Sequence, residues 1–325
     1  MPRLAPSSGS RPGGSTSTVA LKSATSGVAS ALRAIGVRPS RRLGQNFLID
    51  PRVAERIATL VDDPREPVVE IGPGLGALTT LLARSGRLLI AVELDLRLAE
   101  AAERSLASYH AARVVRGDIL DQRLDTLLTR MPSQPAAATI VGNLPYSITT
   151  PALEWILAQG TRVNRALLMV QREYARRLAA PPGGKDYGSI SVFVGLHAEV
   201  NTLFRVSPGA FHPRPAVDSV VLELRPRPYP GTGPEERRAA ERLARAGMGT
   251  RRKTLANSLA RGLGMAGPSV RTLLESAGIR GQRRGETLSI DEWLTLARRW
   301  LDGGGGGAAG GAAVGGAAAQ RKGPR

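Results

Sequence analysis

There is no cysteine in the 325 residues and histidine occurs only three times. The first absence excludes disulfides, zinc–thiolate clusters and a cysteine nucleophile. The histidines, His110, His197 and His212, are too scattered to suggest a metal site and read as surface or packing residues. No apolar run approaches the ~18 residues that a membrane span needs, so no membrane partner is expected. Acidic residues are also missing before Asp50. Residues 1–38, rich in Ser, Gly, Thr, Ala and Pro, offer too little apolar surface to offset the entropy of ordering, and a disordered arm is expected there. Its lack of acids resembles an organelle transit peptide, and a GC-rich bacterial extension fits as well. No continuous apolar core marks a secretory signal.

Lysine and arginine total 45 against 27 acids, a net charge of +18. Such an excess suits a polyanion, nucleic acid before an anionic membrane face. The length has room for one α/β domain, a smaller domain and tails.

From Arg41 the texture changes. Asp50 is placed as an N-cap and Pro51 as the first residue of a helix carrying Val53, Ile57, Leu60 and Val61. Short apolar strands are predicted at 68–71, 88–92, 113–116, 136–141 and 165–170, with helices at 77–83, 96–106 and 151–158 between them. This alternation predicts a mainly parallel, doubly wound sheet. Residues 197–206 and 217–224 read as two strands with no helix between them, an antiparallel hairpin at the sheet edge. A proline-rich linker, 226–234, leads to helical spacing at 235–247, 254–261, 268–278 and 290–301. The expected division is thus an arm (1–38), an α/β domain (39–228), a small all-α domain (229–302) and a Gly/Ala-rich flexible tail (303–325).

Two segments carry chemistry. Val68–Gly76 (VVEIGPGLG) is a strand running into a glycine turn, at the carboxyl end where a parallel sheet binds ligands. Gly72, Gly74 and Ala77 satisfy the dinucleotide pattern, with Glu93 at a fitting distance for a ribose. Two acids favour S-adenosylmethionine over a dinucleotide. Glu70 lies inside the strand, where a dinucleotide fold keeps apolar packing, and Asp118 closes the third strand, where it could accept from an adenine amino group. Glu93 can hold both ribose hydroxyls, since an ionised carboxylate only accepts.

The second segment is Gly142-Asn143-Leu144-Pro145-Tyr146. Taken alone, Asn-x-Pro is ordinary turn chemistry. After a fourth strand, in a chain already carrying a donor loop, it suits an exocyclic amine. The lone pair of an adenine amine is delocalised into the ring. Two acceptors, the Asn143 side-chain oxygen and the Leu144 carbonyl, would favour a pyramidal nitrogen aimed at a sulfonium methyl. Pro145 fixes the backbone, Tyr146 offers a stacking face, and Phe211 is a candidate second one. A base inside a helix cannot reach such a pocket, so the substrate is unpaired or flipped.

At these residues the chain resembles the ribosomal RNA adenine N6,N6-dimethyltransferases of the KsgA type. The resemblance runs from Arg41 to about Leu301. It rests on LGQNFLID (Leu43–Asp50), VVEIGPGLGALT (Val68–Thr79), VELD (Val92–Asp95), GDIL (Gly117–Leu120) and GNLPY (Gly142–Tyr146). FHPRPAVDSVVLEL (Phe211–Leu224) and RRKTLANSL (Arg251–Leu259) extend it. It implies a Rossmann-like class I methyltransferase sheet with a small all-α C-terminal domain, and S-adenosyl-L-methionine as cofactor. Asn46 and Leu48 would line the donor pocket with Gly72 and Gly74; Glu93 would hold the ribose, Asp118 the adenine, and Asn143 would stand between donor and target. The implied substrate is a pair of adjacent adenosines in the 3′-terminal hairpin loop of 16S rRNA, in an immature 30S particle, each dimethylated by a monomeric, cytoplasmic enzyme. Met248-Gly249-Thr250 departs from the pattern where an aromatic residue is usual. A large-subunit adenine methyltransferase of the macrolide-resistance type shares both motifs, and an organellar, transcription-associated RNA-binding member would keep the fold. Arg41, Arg42, Arg214, Arg251, Arg252 and Lys253 are the candidate phosphate contacts, positioning RNA without reading its sequence.

Overall fold

The computed structural model describes residues 15–40, 44–250 and 252–305. Arg41, Arg42 and Arg251, and the tail beyond 305, lie outside the described residues. The chain divides into two compact units: residues up to Arg176 with Ala198–Pro226, and Arg177–His197 with the chain from Arg227 onward.

In the first unit a helix, α1 (Ser15–Ala34), precedes a two-residue strand, β1 (Phe47–Leu48), and α2 (Pro51–Leu60). The expectation of a disordered arm is corrected from Ser15 onward. A 20-residue helix forms there, and Leu32, only 2% exposed, packs with Phe47 and Leu98. Its few apolar residues recur at helical spacing, which the Ser- and Ala-rich composition hid. Asp50 caps α2 as expected, accepting from Arg52 N at 3.0 Å, with Pro51 at the first helical position. Such a cap contributes about 1 kcal/mol.

There follow β2 (Val68–Ile71), α3 (Thr79–Arg84), β3 (Leu89–Glu93), α4 (Leu96–Leu106), β4 (Ala112–Arg116), α5 (Leu124–Thr129), β5 (Ala138–Asn143), α6 (Thr149–Ala158), β6 (Val163–Gln171) and α7 (Arg172–Leu178). The chain returns to this unit as β7 (Ala198–Val206), β8 (Phe211–His212) and β9 (Ser219–Pro226). Seven strands form one sheet in the order β4-β3-β2-β5-β6-β9-β7, and β1 pairs with β8 in a separate ribbon. The pairs among the first five are parallel, while β9 runs antiparallel to both β6 and β7, so the edge hairpin is present. Every residue of β2 and β3 is buried. Continuous apolar runs suit parallel strands covered on both faces.

Strand order reverses between β2 and β5, where the connections diverge to opposite sides and leave a crevice at the carboxyl ends. Ile71 pairs with Gly142, so the next residues, Gly72 and Asn143, emerge side by side. β5 continues to Asn143, two residues past the expected end at Val141. A Cβ on Gly142 would stand 3.1 Å from the Ile71 carbonyl, so any other residue here would have to displace that neighbour by a few tenths of an ångström. At the other end of the sheet Arg165 pairs with Glu66 at 2.9 Å and Glu223 at 3.3 Å, all three mostly buried.

The second unit is helical: α8 (Ser189–His197), α9 (Pro234–Met248), α10 (Leu255–Leu263), α11 (Gly267–Ser276) and α12 (Ile290–Asp302). Its core gathers Val192 and Leu196 of α8 with Leu243, Leu255, Leu259, Trp293 and Trp300. The sequence reading gave no element to residues 171–196 and set the domain boundary at 228. The structure corrects both, since Arg177–His197 belongs to the helical unit. α8 (SISVFVGLH) is apolar on nearly every side, so no helical period marks it. Ser289 and Glu292 cap α12 reciprocally, at 3.1 and 2.8 Å. Such a box satisfies two backbone donors that the helix start leaves open. No described helix is long and apolar enough to cross a membrane.

Candidate active site

A cleft at the carboxyl ends of β2, β3 and β5 brings together Asn46, Leu48, Gly72, Gly74, Glu93, Asn143, Leu144, Pro145 and Tyr146, every one expected from the sequence. Gly72, Gly74 and Gly76 have φ of 69°, 56° and 81°, the left-handed region that glycine enters without strain. A Cβ built on Gly72 meets open space, so the backbone there faces the cleft, whereas one on Gly74 would press on the Phe47 ring at 3.2 Å.

Glu93, 6% exposed, accepts from Gly74 N at 3.1 Å and from Asp95 N at 3.0 Å, one backbone donor on each oxygen. Burial raises its pKa, and these two amides partly offset that. Each oxygen keeps a second lone pair for a ligand hydroxyl. Glu70, on the cleft floor, is 3% exposed, and its Oε2 has no partner among the described residues. Desolvation pushes its carboxyl up to about 8, and the neighbouring Glu93 adds to this. Thr79 faces the carboxyl and partly offsets the shift, but its hydroxyl closes no hydrogen bond of ordinary geometry. A buried acceptor left open at the floor of a glycine-walled cleft fits a polar, cationic ligand group.

Asn143 ends β5, and its Nδ2 donates to the main-chain carbonyl of Asn46 at 2.8 Å. A carbonyl only accepts, so the amide nitrogen must lie on that side and Oδ1 on the other. The Leu144 amide is taken up by Met169 O at 3.2 Å. Pro145 O accepts from Ile148 N and from the Thr149 hydroxyl, which fixes the turn. Gly44, at φ 67°, lies against Tyr146: a Cβ there would be 3.1 Å from Tyr146 N. Tyr146 is half-buried.

One expected residue stands in the core, and another just past the end of the neighbouring strand β4. Phe211 is 3% exposed and registers with Leu48 in the β1–β8 ribbon, so it serves the core; the expectation of a second stacking face is corrected. Asp118 is not among the residues lining the cleft; it caps the short turn Ile119–Asp121, with Oδ1 accepting from Leu120 N at 3.0 Å. Arg214 is exposed in the loop after β8, and Arg252 and Lys253 are exposed ahead of α10. No cluster of three or more metal-ligating side chains occurs among the described residues.

Sequence reasoning missed the main-chain role of Asn46. Any residue's carbonyl could fill it, so no residue type signals it. It also missed Leu94 and Leu96, 58% and 56% exposed, which flank Asp95 just past Glu93. Two leucines flanking Asp95 straight after a strand-end acid were a readable signal.

Two solved structures are similar. The chain matches the 23S rRNA methyltransferase ErmE with a TM-score of 0.57 at 28% identity, covering 78% of this chain and 99% of that one. It matches a dimethyladenosine transferase from Plasmodium falciparum with a TM-score of 0.64 at 22% identity, covering 79% and 98%, a likeness of fold. With the glycine turn and the strand order, these place the chain among the Rossmann-like methyltransferases. A model of the family described as ribosomal RNA adenine dimethylase matches residues 37–301, and the chain belongs to that family. It is 42% identical over 269 residues to ribosomal RNA small subunit methyltransferase A of Geobacter metallireducens, covering 82% of this chain and 97% of that protein. The protein of the same name from Geobacter sulfurreducens is 43% identical with the same coverage. The chain is accordingly an S-adenosylmethionine-dependent methyltransferase of ribosomal RNA adenine.

Proposed function

We propose that the target is the pair of adjacent adenosines in the 3′-terminal hairpin loop of 16S rRNA, dimethylated at N6 within an immature 30S particle in the cytoplasm, by a monomeric enzyme. The observation that carries the chemistry is the Asn143 amide, pinned by Asn46 so that Oδ1 faces away from its anchor. The choice of the small subunit is supported by the relatives named above, which are 42% and 43% identical over nearly their whole lengths.

In this reading Gly72, Gly74, Asn46 and Leu48 hold the donor, Glu93 takes its ribose hydroxyls, and Asp118 accepts from its adenine through Oδ2. Glu70 faces the donor's cationic portion. When bound, the donor supplies a methyl group on a positively charged sulfur. The protein's part is to bind, orient and exclude water. Asn143 Oδ1 and the Leu144 carbonyl accept from the target amine, which localises its lone pair, and Tyr146 stacks on the base. No strong base is needed: after transfer the amine is cationic and acidic, and its proton leaves to solvent. The rate gain comes from positioning and from fixed acceptors. Arg214, Arg252 and Lys253 contact phosphates, with Arg41, Arg42 and Arg251 proposed from the sequence alone.

A large-subunit target is the second reading, favoured by the 28% identity and TM-score of 0.57 with ErmE. Incubating the protein with radiolabelled donor and undermethylated 30S or 50S particles separates the two. Label on two adjacent 16S adenosines is expected; label confined to 23S RNA overturns the small-subunit assignment.

A further inference from the structure

α1 precedes residue 37, where the match to the family model begins, and none of the motifs above includes it. Its last turns nevertheless pack on side chains of the cleft. Leu32 and Val37 are buried with Phe47 and Leu98, and Val28, Ile35 and Leu75 pack against that cluster. Phe47, Leu75 and Leu98 also line the cleft, so these three side chains belong both to the seat of α1 and to the cleft wall.

The sequence ends α1 in a defined way. Gly36 takes φ 68°, its N–H donates to Arg33 O at 3.0 Å, and Val37 N donates to Leu32 O at 2.9 Å. This is a glycine-terminated helix end, in which an apolar pair brackets the turn. Here that pair is Leu32 and Val37, the two buried residues of the seat. The Gly36 carbonyl then accepts from Nη1 of Arg97, an exposed residue in the first turn of α4. Arg97 pairs with no carboxylate among the described residues, so the guanidinium is given over to this contact. A cation at a helix C-terminus also meets the negative end of the helix dipole.

Both ends of this arrangement lead to Glu93. On one side Asp95 caps α4, accepting from Arg97 N at 2.9 Å and Leu98 N at 3.1 Å, while its own N–H donates to Glu93 at 3.0 Å. On the other, the Phe47 ring lies against Gly74, whose N–H donates to Glu93 at 3.1 Å. Phe47 also follows Asn46, the residue whose carbonyl holds Asn143. A shift of α1 off its seat would loosen the wall of the cleft at Phe47, Leu75 and Leu98 together.

We propose that Arg97 is a positioning residue for the methyl donor: by holding the Gly36 carbonyl it latches the end of α1 onto Phe47, Leu75 and Leu98, and the donor binds the latched form more tightly. The proposal rests on the reading of this cleft as the donor site and adds to it an element outside the family match. By linkage, a ligand that prefers the latched form must steady α1 to the same extent that the latch strengthens the ligand.

The test uses the full chain carrying Arg97→Met, which removes the guanidinium but keeps the main-chain N–H that Asp95 caps. Arg97→Lys restores a charged hydrogen-bond donor, and Arg104→Met removes the same charge from an exposed site farther along α4. Three readouts are taken: affinity for S-adenosylhomocysteine by calorimetry, KM and kcat for the methyl donor on undermethylated 30S particles, and amide exchange of residues 28–37 with and without S-adenosylhomocysteine. Arg97→Met is expected to bind the ligand on the order of 10-fold more weakly. Donor KM should rise with it, while kcat stays within about 2-fold, the signature of lost binding rather than lost chemistry. Exchange at 28–37 should be faster in Arg97→Met than in the wild type, and the ligand should slow it in both. Arg97→Lys should recover most of the affinity, and Arg104→Met should match the wild type. Unchanged affinity in Arg97→Met would overturn the proposal, as would an equal loss in Arg104→Met. A loss of affinity with exchange at 28–37 unaltered would also overturn it, since Arg97 would then act without α1. If the wild type binds S-adenosylhomocysteine and Arg97→Met binds it equally well, only the latch fails; if the wild type does not bind it, the donor reading of the cleft itself fails.

Discussion

Asn143, the last residue of β5, is held by the main-chain carbonyl of Asn46, 97 positions earlier in the chain, at 2.8 Å. The anchor adjoins β1, whose Phe47 and Leu48 pair with His212 and Phe211. The orientation of this side-chain amide therefore depends on a two-strand ribbon outside the main sheet, not only on the strand that carries it.

Asn143→Ala removes the fixed acceptor, and methyl transfer should fall by about 10²–10³-fold, the cost of one preorganised group. Donor affinity measured by calorimetry should stay within a few-fold. Asn143→Asp is the sharper test. It keeps one acceptor but sets a second carboxylate oxygen against the Asn46 carbonyl, so transfer should fall comparably. Full turnover in the aspartate variant would show that the anchor does not matter.

Glu70 gives a pH signature. Its carboxyl sits near 8 in the folded protein against 4.5 for an exposed glutamate. The folded state then binds more protons than the unfolded state between these values, so stability falls as pH rises through that window. Glu70→Gln should remove this slope, leaving wild type and variant alike near pH 4.5 and the variant more stable by a few kcal/mol above pH 8. Urea melts at pH 5, 7 and 8.5 measure it. Binding of a cationic donor at pH 7 should also release a proton, seen as a buffer-dependent binding enthalpy.

Gly74→Ala places a methyl group 3.2 Å from the Phe47 ring, at a φ of 56°. The backbone strain alone costs about 1–2 kcal/mol. Because the same amide donates to Glu93, donor affinity should drop with stability. Thermal melts with and without donor separate the two effects; an unchanged donor-induced shift would contradict the link.

Arg165→Leu removes the cation between Glu66 and Glu223, both mostly buried. Stability should fall by about 3 kcal/mol, since two acids are left facing each other without a partner. Turnover per folded molecule should be unchanged, because the triad lies at the opposite end of the strands from the cleft.

The sheet was legible because β2, β3 and β6 are apolar runs punctuated by Gly72, Glu93 and the turn after Ala158, and those signals are local. The cleft residues were legible because glycine turns and strand-end acids combine residue type with position. What stayed hidden has no local marker. α8 is apolar on nearly every side, so neither a period of two nor one of 3.6 stands out. Phe211 has the same letters whether it stacks on a base or fills the core, and its register with Leu48 decides for the core.

The outward and returning path of the chain at 177–197 bears on how the molecule can be cut. Val192 and Leu196 of α8 are covered by the helices that follow Pro226. A protein stopped after β9 would keep α8 but lose its cover, leaving a greasy helix in water and inviting aggregation. Dissecting the catalytic half therefore means excising the excursion as well and joining Arg176 to Ala198 through a short polar bridge. The two halves share an architecture in which neither was appended at a single seam.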